Sequence, residues 1–389
     1  MSWTGQWNFP APIRFGSGVI KQLPDACREL GMERPLLVTD PGLSALPIVA
    51  EAVAINADAQ LKTAVFDQIQ GNPTGEDVER GTAALRAGAH DGVIAFGGGS
   101  ALDVGKAIAL MAGQTRPLWD FEDVGDNWKR VDTEAMVPCV AVPTTSGTGS
   151  EVGRCSVITN KDEHRKVIIF HANMVPGRVL CDPDLTIGLP AKLTAAVGID
   201  ALSHNLEALC APGYHPMADG IALEGIRQVH LMLERAVRDG ADIEARAGMM
   251  VASTMGATAF QKGLGAMHSM SHPVGAVIEA HHGLCNAVFM PYVLGFNRPM
   301  IESRMTDLAR YLDLPHPSFD AVLEWVLGLR ERLGIPHSSE RLGVIREEIP
   351  LLARMGAQDP TAATNPVPLD EGNLTQLFEE SLRGEVVVR

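Results

Sequence analysis

Two groups of residues carry the donor types and the spacing of a metal site. In Gly198–Ala208, GIDALSHNLEA, Asp200 and His204 stand four residues apart among helix formers, with no proline between them. Helical geometry puts both on one face, a turn apart. A carboxylate and an imidazole placed this way can hold a divalent cation and leave positions for outside ligands. A charged pair on a solvated helix face has the same spacing, so the motif alone is weak. The second group is HSMSHPVGAVIEAHHG, which holds four of the twelve histidines, His268, His272, His281 and His282. Each of these by itself reads as a satisfied core or surface residue. Together, flanked by Gly265, Ala266, Gly275, Ala276 and Gly283, they read as a site where backbone and ligand approach closely.

The remaining chemistry is in glycine and hydroxyl runs. Gly92–Phe96 (GVIAF) predicts a buried strand running into Gly97, Gly98, Gly99 and Ser100. A glycine turn between strand and helix exposes backbone N–H groups, and the helix dipole favours a phosphate there. Ser100 can cap that helix or bind the phosphate itself. Asp103, one turn in, reads equally as an ordinary first-turn acid. After a strand at Cys139–Val142, the residues between Pro143 and Glu151 are all hydroxyl or glycine. Thr144, Thr145 and Thr148 thus form a second anion or ribose cradle, or else a solvated loop.

These segments need a scaffold, and the order of elements supplies one. Apolar runs at Pro35–Thr39, Thr63–Phe66, Gly92–Phe96, Cys139–Val142 and Arg178–Asp182 alternate with helical patterns, including Leu43–Asn56. That alternation predicts parallel βαβ units in a Rossmann-like α/β domain. Asp40-Pro41-Gly42 and Asn72-Pro73-Thr74 are the turns that follow the first two interior strands, and residues 115–134 read as a loop. From Pro190 on, only helical patterns occur: Ala191–Leu209, Met217–Arg238, Ile243–Phe260, Leu264–His272, Cys285–Phe296, Met300–Leu312 and Phe319–Leu333. Asp359–Pro368 separates these from a last helix at Gly372–Leu382. We therefore expect an α/β domain over residues 1–189 and an all-helical domain over 190–389.

The whole chain sets limits. Its 389 residues suffice for two cores, and 46% hydrophobic with 20% charged residues is ordinary for a globular protein. A net charge of −15 provides no basic footprint for nucleic acid or an anionic membrane. Six scattered cysteines with no CxxC point to reduced thiols and a cytoplasmic setting. We read neither a signal peptide nor a membrane span.

GIDALSHNLEA followed by HSMSHPVGA and HHGLCNA resembles the iron-containing (group III) alcohol dehydrogenases. The likeness runs from FGSG at Phe15–Gly18 to LFEESL near the C-terminus. It includes GGGSALDVGK, where Gly105 replaces a usual alanine at about 1 kcal/mol of helix propensity, and PTTSGTGSE. The resemblance implies a dehydroquinate synthase-like architecture and a homodimer. It implies Asp200, His204, His268 and His282 as metal ligands and His272 as a histidine near the nicotinamide; the proton is relayed by His272, by a water chain or by the nicotinamide ribose. It also implies Asp40, Asn72, Gly97, Gly98, Gly99, Ser100, Asp103, Thr144, Thr145, Thr148 and Lys166 along the cofactor.

The implied reaction is metal-assisted oxidation of an alcohol or reduction of an aldehyde. The metal, Fe²⁺ with Zn²⁺ or Mn²⁺ as alternatives, acidifies the substrate hydroxyl, and hydride passes to the nicotinamide. Asp40 precedes the glycines rather than following them as in the usual fingerprint; a carboxylate on the ribose repels a 2′-phosphate and favours NAD(H) over NADP. Phe260 and Lys262, shortly before His268, are candidate substrate residues, with Lys262 expected to face the open coordination position and bind an anionic group. A short hydroxy acid or its semialdehyde is then the expected substrate. Rival readings are a dehydroquinate synthase-like lyase, which needs a basic pocket, a maleylacetate reductase-like enzyme, which lacks a full metal set, and a non-catalytic nucleotide or metal sensor.

Overall fold

The computed structural model describes residues 11–163 and 165–389; the sequence predicts short extended pieces broken by proline and glycine over residues 3–20, and those before Ala11 lie outside the described residues. Two compact units make up the chain. One contains the described residues up to Thr145 together with Gly149–Gly188, the other Ser146–Thr148 with Leu189–Arg389.

In the first unit the elements are β1 (Ile13–Phe15), α1 (Leu23–Glu29), β2 (Pro35–Val38), α2 (Pro41–Ser44), α3 (Pro47–Asp58), β3 (Ala64–Phe66), α4 (Gly75–Ala87), β4 (Gly92–Gly97), α5 (Gly99–Met111), β5 (Cys139–Pro143), β6 (Cys155–Asn160), β7 (Arg165–Phe170) and β8 (Arg178–Cys181). Six strands form a parallel sheet in the order β1-β8-β5-β4-β2-β3. Every residue of β2, β4 and β5 is buried, as parallel strands covered on both faces require. From β2 the chain goes outward to β3, then back across to β4 on the other side. The carboxyl ends of β2 and β4 therefore flank the switch point where α/β sheets bind ligands.

Three local differences from the sequence reading have physical causes. The helix expected over Leu43–Asn56 is two helices, because Leu46 precedes a proline and is extended (φ −92°, ψ 151°). The chain between β5 and β8, to which the sequence reading assigns no element, contains the antiparallel hairpin of β6 and β7, with Cys155 opposite Phe170 and Asn160 opposite Arg165. Gly105 is a packing requirement: a Cβ there would stand 2.6 Å from that of Ala95 on β4.

The second unit is helical: α6 (Ala191–Cys210), α7 (Pro216–Arg238), α8 (Ile243–Ala259), α9 (Ala266–Val277), α10 (His282–Tyr311), α11 (Phe319–Arg332), α12 (Ile349–Gln358) and α13 (Glu371–Arg383). Among its described residues there is no strand. The helices expected at Cys285–Phe296 and Met300–Leu312 are one continuous α10 with Pro291 and Pro299 inside it. Pro299 has no N–H for the carbonyl of Gly295. The backbone N–H of Arg389 donates to that carbonyl instead, at 3.3 Å. Helix α6 is buried on nearly all sides, so its polar residues are interior groups.

Candidate active site

Helix α6 delivers Asp200 and His204 side by side; both are buried, 2% and 4% exposed. His268 comes from α9 and His282 from the first residue of α10. The start of α10 lies so close to α6 that a Cβ on Gly283 would stand 2.6 Å from the carbonyl oxygen of Ala196. One donor atom from each of the four side chains lies within 4.8 Å of the others. His281 is exposed and acts as the N-cap of α10, its Nδ1 accepting from the Leu284 N–H at 3.3 Å.

The imidazoles are oriented from behind. His204 turns Nδ1 to the carbonyl of Gly147 at 3.2 Å, His268 turns Nδ1 to Oε2 of Glu207 at 2.6 Å, and His282 turns Nδ1 to the Ser271 hydroxyl at 3.4 Å. With an acceptor on each Nδ1–H, the Nε2 lone pairs remain for a cation, the arrangement found behind metal-bound histidines. Burial pushes the His204 imidazole down to about 4, keeping it neutral, with Asp200 opposing in part. For His268 burial also acts downward, but Glu207 outweighs it and the net shift is upward. The Asn286 amide nitrogen lies 2.8 Å from Asp200 Oδ1 and 3.2 Å from Nε2 of both His268 and His282. Three lone pairs converge on an amide with two hydrogens, while Asn286 Oδ1 is buried without a partner. This donor set fits a divalent cation.

His272 lies one turn after His268. Its ring stacks on His282 at 5.4 Å, and its Nδ1–H donates to Asp359 Oδ2 at 2.8 Å. Burial works to raise the Asp359 carboxyl, but His272 and Thr361 outweigh it and hold it below the usual range. The Phe260 ring is 5.3 Å from that of His204, so this candidate does reach the centre.

Lys262 corrects the sequence reading. It is 8% exposed, its ammonium donates to the Leu209 carbonyl at 3.2 Å, and it pairs with Asp219 beside Arg304. Burial lowers its pKa, partly offset by Asp219. A lysine already paired with a carboxylate at the end of α6 is engaged as a structural cation, not the free cation that the sequence reading expected.

The nucleotide candidates gather at the carboxyl ends of the strands. Asp40 follows β2, Asn72 follows β3, Gly97–Gly99 close β4, and Thr144 and Thr145 follow β5. Gly97 takes φ 145°, a region closed to most side chains, and the Thr144 N–H donates to its carbonyl at 3.0 Å. Helix α5 starts at Gly99 with Gly98 as its cap. Ser100 is thus not the cap; its hydroxyl donates to the Gly71 carbonyl at 2.6 Å. Asp40 caps α2 by accepting from the Leu43 N–H at 2.9 Å. Asp103 accepts from the Ser150 hydroxyl at 2.5 Å and the Val157 N–H at 2.9 Å. Lys106, which sequence reasoning passed over, is buried behind it and donates to the carbonyls of Ser150 and Cys155. Thr148 belongs with the helical unit, and Lys166 lies on β7 opposite Thr159. Sequence reasoning also missed Glu207, Ser271, Asn286 and Asp359. Of these only Glu207 left a signal, an acid three residues after His204 on a helix that has little polar surface.

Comparison with known proteins places this geometry. The model of the family "iron-containing alcohol dehydrogenase" matches residues 10–183, and that of the "Fe-containing alcohol dehydrogenase family, C-terminal" matches residues 194–382. The chain is 39% identical over 379 residues to a 4-hydroxybutyrate dehydrogenase of Cupriavidus necator, covering 95% of this chain and 98% of that protein. It is 34% identical over 380 residues to an NAD-dependent methanol dehydrogenase of Bacillus methanolicus, covering 96% and 98%. A solved 1,3-propanediol oxidoreductase superposes with a TM-score of 0.92 at 32% identity, covering 97% of this chain and all of that one.

Proposed function

The chain belongs to the iron-containing alcohol dehydrogenase family, and from that premise we propose that it oxidises a short hydroxy acid to its semialdehyde, and the reverse, with NAD(H) and Fe²⁺. The observation that carries the proposal is the convergence of Asp200, His204, His268 and His282 within 4.8 Å. A bound divalent iron supplies Lewis acidity to the substrate oxygen, and a bound nicotinamide supplies hydride acceptance and donation.

The protein's own groups do the rest. The Nδ1 partners of the three imidazoles hold Nε2 toward the cation. Asp359 fixes His272 through Nδ1, so Nε2 is the atom that holds or passes a proton. Phe260 lines the centre beside His204 with an apolar ring. On the sheet unit, the glycine amides after β4 hold the pyrophosphate, and Asn72, Thr144, Thr145 and Lys166 complete that reading; Thr148, on the helical unit, belongs to the same cofactor reading. Asp40, at the end of β2, favours the 2′-hydroxyl of NAD(H) over a 2′-phosphate; the Bacillus relative, by its name, uses NAD.

The hydroxy-acid substrate is supported by the Cupriavidus relative, and Lys262 has no part in it. A cytoplasmic setting rests on six cysteines that form no disulfide and a homodimer on the family resemblance. The test is NADH formation from 4-hydroxybutyrate and from 1-butanol after loading with Fe²⁺, Zn²⁺ or Mn²⁺. Iron-dependent turnover favouring the hydroxy acid is expected. No turnover of either substrate with any of these metals contradicts the proposal.

A further inference from the structure

We infer that Glu207 is a positioning residue of the metal centre: its buried carboxylate locks His268 in the tautomer that presents Nε2 and sets a second negative charge behind the ligands. The inference rests on the metal-centre reading above.

Glu207 is 5% exposed, and three donors meet its two oxygens. Oε2 accepts from the Gly265 N–H at 2.9 Å and from His268 Nδ1–H at 2.6 Å, and Oε1 accepts from the Met267 N–H at 2.6 Å. Its partners all lie at the start of α9, where unpaired N–H groups and the helix dipole favour an anion. One face of α6 thus delivers both ligands, Asp200 and His204, and the group that orients the next, His268.

Two consequences follow from the chemistry. Counting Asp200 as the only anion leaves a divalent centre with a net positive charge; Glu207, one imidazole away, balances it. A charge-assisted bond of this length also makes the imidazole a stronger donor to the metal. Glutamine is not an equivalent. Its one oxygen cannot serve three donors, so its NH₂ must face one of them. When it faces Nδ1 the hydrogen bond reverses, the ring proton moves to Nε2, and the ligating lone pair is lost.

A purely structural role for Glu207 is separable, because the same helix end has a second acceptor. Asn365 Oδ1 takes the Ala266 N–H at 3.0 Å and is itself paired with Asn297. The experiment removes metal from the parent, Glu207→Gln, Glu207→Asp and Asn365→Ala. It then measures Zn²⁺ and Co²⁺ affinity by chelator competition, the Co²⁺ d–d spectrum, and the Tm of each metal-free protein. Glu207→Gln is expected to weaken both metals about 10- to 100-fold and to shift the Co²⁺ bands. Glu207→Asp, with the charge kept and the reach shortened, should weaken them at least threefold with a smaller spectral shift. Asn365→Ala should lower Tm while holding metal affinity within twofold of the parent.

Glu207→Gln and Asn365→Ala behaving alike, with lowered Tm and unchanged metal affinity and spectrum, overturns the inference. Should Glu207→Gln not fold, Glu207→Asp decides, and parent-like affinity and spectrum overturn it. A parent that binds neither metal overturns the metal centre itself, a result distinguishable from failure at Glu207.

Discussion

The two units build their sites from different materials. In the helical unit the groups that converge are side chains on rigid helix faces: Asp200, His204, His268 and His282, with Glu207, Gly147 and Ser271 behind them. In the sheet unit the side chains of the recognisable motifs are engaged in holding loops. Ser100 bonds Gly71, Asp40 caps α2, and Asp103 ties α5 to Ser150 and Val157. What those loops offer a ligand is backbone N–H groups at a helix start. Residue identity should therefore decide metal binding in the helical unit, and backbone geometry should decide phosphate binding at the β4–α5 turn of the sheet unit.

The sharpest way to break this contrast is the adjacent pair at the start of α10. His282→Ala should lose metal and lower kcat/KM on the order of 10³-fold, since Lewis acidity provides several kcal/mol. His281→Ala removes a helix cap, costing about 1 kcal/mol, and should keep its metal. Metal analysis of both variants checks this, and the reverse pattern would exchange their roles.

Acid sensitivity should come next in size. Burial lowers His204 to about 4 in the folded, metal-free chain, against an ordinary 6.5. Its stabilisation is then fully present above 6.5 and lost as pH falls through 4, a total of about 3 kcal/mol. His268, shifted upward, acts in the opposite sense, stabilising below 6.5 and losing that as pH rises through its folded value. Thermal melts of the metal-free parent and His204→Gln between pH 7 and 4 isolate the His204 part. The variant should show the flatter profile.

Lys262→Ala tests the correction made above. Breaking its pair with Asp219, which is 30% exposed, should cost about 2 kcal/mol and lower Tm by several degrees. The ratio of kcat/KM for 4-hydroxybutyrate to that for 1-butanol should not move. A selective loss on the acid would return Lys262 to the substrate.

The smallest effects distinguish backbone from side chain in the sheet unit. Gly97→Ala forces a side chain onto φ 145° and brings a Cβ within 2.8 Å of that of Ala101. NADH binding, followed by fluorescence, should weaken about 10-fold for roughly 1–2 kcal/mol of strain. Ser100→Ala should change it less than threefold, as its hydroxyl bonds Gly71. Equal losses in the two variants would show that the phosphate contact is made by a side chain.

The same contrast explains what could be read from the sequence. The four-residue spacing of Asp200 and His204, and the glycines at the end of a buried strand, are local patterns with local physical meanings. The β6–β7 hairpin was hidden because Cys155–Asn160 is one-faced and mixes cysteine, serine, threonine and asparagine with its apolar residues. The continuous α10 was hidden because the group that satisfies the Gly295 carbonyl comes from Arg389. Glu207 and Lys262 needed partners 61 and 43 residues away, His268 and Asp219. Without those partners Lys262 looked like a free cation and Glu207 like one more helix acid.

The most direct test of the central claim is an anaerobic titration of the metal-free chain with Fe²⁺, following NADH formation from 4-hydroxybutyrate. The account predicts no activity before iron is added, then a linear rise that saturates at one Fe²⁺ per chain, and no rise in His282→Ala. Full activity in the metal-free chain, or an unchanged iron response in His282→Ala, would contradict it.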